Sequence, residues 1–126
     1  MDISNPNRSG EVVSVEFPFT DLQGRKRLPG VVLAVDTNDV LLARVTTHEP
    51  REAFDVPLMG WAAVGLPRPS TVRLLKVVSI DAGLVHHSIG VLPEADRARL
   101  AESVERLGLE IAGRLRRSST PPRPRS

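Results

Sequence analysis

The stretch GVVLAVDTNDVLLARVTT, residues 30–47, contains two apolar runs separated by the polar sequence Thr37-Asn38-Asp39. Each run has the length of a short strand and is rich in valine and leucine. Asparagine and aspartate favour the tight turn between them. The stretch therefore predicts an antiparallel hairpin, around which the rest of the fold is arranged.

Similar strand patterns lie on both sides of this hairpin. Residues 10–19, GEVVSVEFPF, alternate apolar and polar side chains as a half-buried strand does, and Pro18 should end the strand or make it bulge. Residues 71–80 and 83–92 give two further apolar strands. The sequence thus predicts about five short strands.

The segment between the hairpin and the later strands, residues 48–70, reads as a long connection. It contains four prolines and the only tryptophan, Trp61, without a clean apolar period. A connection of this length is usually functional or carries small elements of its own. Trp61 suits a dimer interface, or alternatively a platform on which an unpaired base stacks.

The last part of the chain has helical rather than strand periodicity. Apolar residues recur at steps of three and four from Pro93 onward, which predicts an amphipathic helix. A run of strands followed by one helix favours a mainly β (α+β) fold, either a small β-barrel or a strongly bent sheet with a C-terminal amphipathic helix packed on it. The apolar positions of the predicted helix are Leu100, Val104, Leu107, Ile111 and Leu115.

Length and composition indicate one domain. The 126 residues divide into a flexible segment 1–9, a folded domain 10–115 and a disordered basic tail 116–126. Cysteine is absent, which excludes disulfides and thiolate metal sites and fits a cytoplasmic protein. No apolar run is long enough for a membrane span, so we expect no membrane partner.

Charge is distributed unevenly along the chain. Residues 1–113 hold 12 basic and 15 acidic side chains, whereas residues 114–126 add five arginines and no acid. A basic tail on a mildly acidic body suggests an anionic partner such as nucleic acid, and a simple solvated end is the alternative.

Several motifs occur in an order that resembles one protein family. They are GEVVSVEFPFTD, a basic loop leading to a proline and VVL, VLLARVTT, GLPRPSTVR, and IGVL before the helix. Together they are similar to the MazF/PemK toxin–antitoxin ribonucleases over about residues 10–107. The resemblance implies an SH3-like barrel of about five to seven strands that forms a homodimer. It also implies a cofactor-free endoribonuclease that cuts single-stranded RNA without metal and is blocked by a cognate antitoxin protein.

The basic loop at residues 25–27 supplies candidate phosphate ligands. Metal-free RNA cleavage uses the ribose 2′-hydroxyl as nucleophile and needs a cation near the phosphoryl oxygens. The family places its catalytic arginine directly before the proline, where this chain has Leu28. Arg27 is the substitute catalytic candidate, with Arg25 and Lys26 as substrate ligands. The alternatives are a loop that binds RNA but cuts it poorly, and a solvated turn.

The end of the hairpin supplies hydroxyl and imidazole candidates. Thr46 matches the family threonine that contacts the scissile phosphate, and Thr47 replaces the serine that usually follows it. His48 would share the face of Thr46 on a continuing strand, and its chemistry suits acid–base work. Threonine is also a common strand residue, so a structural role is the alternative for Thr46.

Arg73 corresponds to an arginine used in some plasmid-borne members of the family. Those members have an acidic residue two positions later, where this chain has Leu75. Arg73 is therefore a phosphate-binding candidate or an ordinary surface cation. His86 and His87 are neighbours on a predicted strand and would point oppositely, so we expect no metal site.

The sequence leaves two functions open. The first is a toxin that cleaves RNA, favoured by Thr46 and the basic loop. The second is a catalytically degenerate or non-enzymatic protein on the same fold that binds an antitoxin, RNA or a topoisomerase, favoured by Leu28 and Leu75.

Overall fold

The computed structural model describes residues 5–16 and 27–118. The predicted strand end at Pro18, the loop cations Arg25 and Lys26, and the end of the tail lie outside these described residues. The described elements are β1 (Glu11–Glu16), β2 (Arg27–Val35), β3 (Asp39–Thr46), β4 (Asp55–Leu58), α1 (Trp61–Val64), β5 (Ser70–Asp81), a 3-10 turn (Ala82–Leu84), β6 (Val85–Val91) and α2 (Glu94–Arg116).

Six antiparallel strands form one sheet in the order β4-β5-β3-β2-β1-β6. The predicted hairpin is confirmed as β2 and β3, where the backbone N–H of Asp36 donates to the carbonyl of Asp39 at 2.9 Å. The mainly β class with a C-terminal helix is also confirmed. Over the described residues, the sheet is not closed into a barrel, because β4 and β6 are its two edges.

Strand alternation divides the core into two clusters. The helix-facing cluster includes Val12, Val31 and Leu100, and the turn-facing cluster includes Val13 and Val32. Neighbouring residues on one strand enter different clusters because successive side chains point to opposite faces of a sheet. This alternation decides which side chains of β1 and β2 reach a functional surface.

Two small elements, β4 and α1, lie within the connection for which no strand or helix was predicted. β4 pairs with β5, and α1 packs against β6 through a close backbone approach at Gly90. A Cβ atom on Gly90 would lie 2.2 Å from the carbonyl oxygen of Val64, so only glycine fits. The short helix therefore packs against the β6 edge of the sheet.

Asp96 anchors α2 to the connection that precedes it. This carboxylate is buried, and it accepts hydrogen bonds from the backbone N–H groups of Met59 at 2.9 Å and Gly60 at 2.8 Å and from Arg99 at 2.6 Å. Burial alone would raise the pKa of Asp96. The hydrogen bonds from Arg99, Met59 and Gly60 outweigh burial and hold that pKa below its usual value.

The C-terminal helix begins as predicted, but only part of its predicted apolar stripe packs against the sheet. Leu100 is buried and Leu107 packs against the helix-facing cluster. Val104, Ile111 and Leu115 are exposed, although they belong to the same predicted stripe. After Leu107, no described residue of α2 belongs to the core.

Candidate functional site

An open cleft lies where β1, β2, β3 and β6 meet the connection between α1 and β5. Its volume is about 610 Å³. We call it the strand-end cleft. It is lined by Ser14, Arg27, Pro29, Val45, Thr47, Gly65, Leu66, Pro67, Ser70, His87, Ser88 and Ile89.

Backbone register explains why Arg27, and not Leu28, reaches this cleft. Arg27 pairs with Glu16 and Leu28 with Val15 in the β1–β2 ladder. Leu28 packs against the turn-facing cluster beside Val15. Arg27 lies on the opposite face and lines the cleft. Successive residues of a strand point to opposite faces, and the register shows which face each of these two occupies.

The two adjacent threonines are also divided by alternation. Thr47 lines the strand-end cleft together with Val45. Thr46 pairs with Thr71 of β5 and is not among the described residues that line that cleft. Its Oγ1 accepts a hydrogen bond from the backbone N–H of His48 at 3.3 Å. This hydrogen bond joins the two residues that flank Thr47 and so stabilises the backbone conformation of Thr47.

His48 lies in a second cleft, which has a volume of about 270 Å³. Its Nδ1 lies 3.4 Å from Nη2 of Arg51, and because arginine only donates, this ring nitrogen acts as the acceptor. We call this space the proline cleft. It is lined by Thr47, His48, Glu49, Pro50, Pro57, Leu58, Met59, Trp61, Pro69, Ser70 and Thr71.

Trp61 forms part of the proline cleft and also packs against the helix-facing cluster. One side of the ring therefore supports the core while the residue still contributes to a surface. Met59, in the same cleft, keeps 76% of its surface exposed. These contacts make the proline cleft largely apolar.

Arg73 is held in a local ion-pair network. Its Nη2 lies 3.0 Å from Glu52 Oε1, and its Nε lies 3.5 Å from Asp55 Oδ1. The buried Asp55 carboxylate also accepts the backbone N–H groups of Arg51 at 2.9 Å and Glu52 at 3.1 Å. Arg73 thus connects the loop after β3 to β5 through these ion pairs. It is not among the residues that line either cleft.

His87 is a cleft residue that sequence reasoning did not select. The register pairs Ser14 with both Pro29 and His87, so these three residues form a row across β2, β1 and β6. The adjacent His86 lies with its Nε2 3.5 Å from Glu16 Oε1 and does not line the cleft. No sequence pattern predicts this difference, because the β1–β6 register shifts on both sides of Val13 and Ser14.

The strand-end cleft favours an anion. Among its described lining residues, Arg27 carries a positive charge, His87 adds an imidazole, and no aspartate or glutamate is present. Across residues 5–16 and 27–118, no three histidine, aspartate or glutamate side chains are placed to hold a metal ion. In the same ranges, neither helix is long and apolar enough to cross a bilayer.

Comparison with known proteins places this geometry in context. Several solved structures share the fold, including the Mycobacterium tuberculosis toxin MazF-mt6, with 23% identity, a TM-score of 0.63, and coverage of 76% of this chain and 93% of that one. An endoribonuclease from Mycobacterial species, solved with its cognate antitoxin, has 16% identity, a TM-score of 0.64, and coverage of 80% and 94%. MazE-MazF from Deinococcus radiodurans has 19% identity, a TM-score of 0.62, and coverage of 80% and 93%.

At these identities the structural matches show the fold alone. A search of curated proteins gives no significant match. A family-level sequence comparison matches residues 8–107, most of the chain, to the PemK-like, MazF-like toxin of type II toxin–antitoxin systems. The chain therefore belongs to the PemK-like, MazF-like toxin family.

Proposed function

We propose that this chain is a toxin that cleaves single-stranded RNA at the strand-end cleft without a metal ion. The ribose 2′-hydroxyl attacks the adjacent phosphorus, the bond to the 5′-oxygen breaks, and a 2′,3′-cyclic phosphate and a 5′-hydroxyl result. The observation that carries the proposal is the presence of Arg27 and Thr47 in one cleft whose described lining residues include no carboxylate.

Arg27 has the charge-stabilising role in this reaction. Its guanidinium makes no ion pair with any described residue, so binding the phosphoryl oxygens breaks no ion pair within the part of the chain that the structure describes. Charge accumulates on these oxygens in the transition state, and a fixed cation there lowers the barrier. Arg25 and Lys26 remain proposed substrate ligands in the same loop.

Thr47 supplies a hydroxyl to the phosphate, and Thr46 supports it. Thr47 lines the cleft, whereas the Thr46 hydroxyl accepts the His48 N–H. Thr46 therefore acts on the reaction through the conformation of the strand end. Arg73 acts on the loop after β3, since Glu52 and Asp55 already engage its guanidinium.

The partners follow from family membership. We propose a cytoplasmic homodimer whose activity is blocked by a cognate antitoxin, as expected for a type II toxin. The apolar proline cleft, next to the strand-end cleft, offers a surface on which a segment of the antitoxin can bind. Thr47 and Ser70 line both clefts, so a peptide bound in one would crowd the other.

The test is incubation of the full chain with a long mixed-sequence RNA transcript in the presence of EDTA, followed by mapping of both new ends. We expect discrete cuts with 5′-hydroxyl ends. Arg27→Ala should slow cleavage roughly a hundredfold. Arg44→Ala, which removes an exposed arginine of β3 outside both clefts, should leave the rate unchanged.

The same experiment addresses the non-catalytic alternative. Leu28 contributes no cation to the cleft, which is the observation that favours a disarmed toxin. Binding of the transcript without cleavage by the wild-type chain would establish that alternative. Equal cleavage by Arg27→Ala and Arg44→Ala would mean that the reaction occurs elsewhere.

A further inference from the structure

The strand-end cleft contains a titratable side chain that has no other assignment. The His87 ring lines the cleft, and no described residue forms a hydrogen bond or an ion pair with it. Within the described residues, both ring nitrogens are therefore available to a ligand, and imidazole is the side chain most often used in general acid–base catalysis. These are the properties of a proton acceptor.

The strand register places His87 on the same surface as Arg27. Ser14 pairs with Pro29 on one side and His87 on the other, and Arg27 precedes Pro29 by two residues on the same face. With strands roughly 5 Å apart and about 3.3 Å per residue, the Arg27 and His87 backbones lie roughly 12 Å apart. Both residues line the cleft, Arg27 from β2 and His87 from β6, with β1 between them.

The other two histidines are differently placed. His48 lies in the proline cleft with Nδ1 facing Arg51, and His86 lies beside Glu16. The groups around His87 that carry charge or titrate are limited. Among the residues that line the cleft with His87, Arg27 from β2 is charged, whereas Ser14, Thr47 and Ser70 are neutral. Glu16 of β1 does not line the cleft, but it pairs with Arg27 in the strand register and lies beside His86.

We infer that His87 is the general base of the RNA cleavage proposed above, on which this inference rests. A ring nitrogen of neutral His87 takes the proton of the ribose 2′-hydroxyl as its oxygen bonds to phosphorus. The bond to the 5′-oxygen breaks, its electron pair stays on that oxygen, and water in the open cleft supplies the proton. The His87 imidazolium then returns its proton to solvent, so atoms and charge balance.

The assignment predicts a defined pH dependence. The base must be neutral to accept a proton, so kcat/KM should rise with pH and then level off. His87→Ala should lower the plateau roughly a hundredfold or more and remove the rising limb. Imidazole added to the buffer should restore part of the rate of His87→Ala, because it supplies the missing base.

His86→Ala and His48→Ala are matched controls, and both should keep the rising limb. Because a substitution in β6 can disturb folding, each variant is also tested for binding to an oligonucleotide of the mapped site with a 2′-deoxy sugar at the cut. His87→Ala should bind this uncleavable RNA as wild type does. A wild-type chain that cleaves no RNA would overturn the proposed function and this inference together.

The inference alone falls if wild type cleaves RNA and His87→Ala keeps the rising limb. It also falls if the limb disappears in His48→Ala instead. Loss of activity in His87→Ala together with loss of binding and no rescue by imidazole would likewise overturn it, since a structural role then explains the effect.

Discussion

The strand-end cleft and the proline cleft share Thr47 and Ser70 but differ in chemistry. The first is lined by Arg27, His87, three hydroxyl-bearing residue positions (Ser14, Ser70 and Ser88), Thr47 and several apolar residues. The second is lined by three prolines, Met59 and Trp61, and also by His48 and Glu49. A cationic cleft can stabilise a reacting phosphate, whereas an apolar one can bind a base or a side chain but offers little to charged oxygens. The strand-end cleft is therefore suited to catalysis at a phosphate, and the adjacent proline cleft is suited to binding an apolar group.

The largest effect is expected when the cation is moved to the wrong face. Leu28→Arg should lower the free energy of unfolding by about 3 kcal/mol, because the new charge enters the turn-facing cluster beside Val15. It should not increase RNA cleavage, since this face lies away from the strand-end cleft. Chemical denaturation and a cleavage assay measure the two quantities.

Leu28→Met is the matched control for this substitution, because it keeps the apolar character and nearly the same volume. It should cost less than half as much stability. A stable Leu28→Arg variant with faster cleavage would show that residue 28 reaches the phosphate, which would contradict the register argument.

An intermediate effect is expected at Asp96, which binds the backbone of Met59, a residue of the proline cleft. Asp96→Asn should lower the free energy of unfolding by about 2 kcal/mol at neutral pH, because the amide cannot accept all the hydrogen bonds that Met59, Gly60 and Arg99 donate. Denaturation curves measure this change. Cleavage by the remaining folded protein should be unchanged, since Asp96 lies outside the strand-end cleft.

The Asp96 effect should also depend on pH. The pKa of Asp96 is lowered in the folded state, so its stabilisation is fully present above the unfolded value near 3.8 and is lost as pH falls through the folded pKa. The stability difference between wild type and Asp96→Asn should therefore shrink below about pH 4. A difference that grows on acidification would mean that the carboxylate is not stabilised in its charged form.

The smallest effect concerns the residue between the two clefts. Thr47→Val should slow cleavage roughly fivefold, because it removes one neutral hydrogen bond of about 1 kcal/mol to the phosphate. Thr46→Val should slow it less, since that hydroxyl accepts the His48 N–H rather than lining the cleft. Single-turnover cleavage rates compare the two. A larger loss for Thr46→Val would reverse the assignment of the two hydroxyls.

Local patterns were sufficient to predict much of the fold. The β2–β3 hairpin and α2 have strong periodicity and clear turn or start signals, and both were predicted. β4 and α1 were not, because they are only four residues each and depend on distant partners. β4 requires the β5 ladder, and the turn before α1 is held by Asp96, more than 35 residues away.

The site was predictable only in part for a similar reason. Strand alternation showed that Arg27 and Leu28 point oppositely, but the face of each depends on pairing with β1. Thr46 was preferred over Thr47 from a motif, whereas the cleft is lined by Thr47. His87 depends on a β1–β6 register that contains shifts, which no local sequence pattern encodes.

The location of bound RNA is the most direct test of the account, and the three histidines of the chain report on it. His87 lies in the strand-end cleft, His48 in the proline cleft, and His86 in neither. The measurement is a titration of the full chain with an uncleavable RNA, 2′-deoxy at the cut, followed by the NMR signals of the three imidazole rings. We predict the largest shift for His87, a smaller one for His48 and little change for His86. A shift of His48 without one of His87 would contradict the assignment of the strand-end cleft as the site of RNA cleavage.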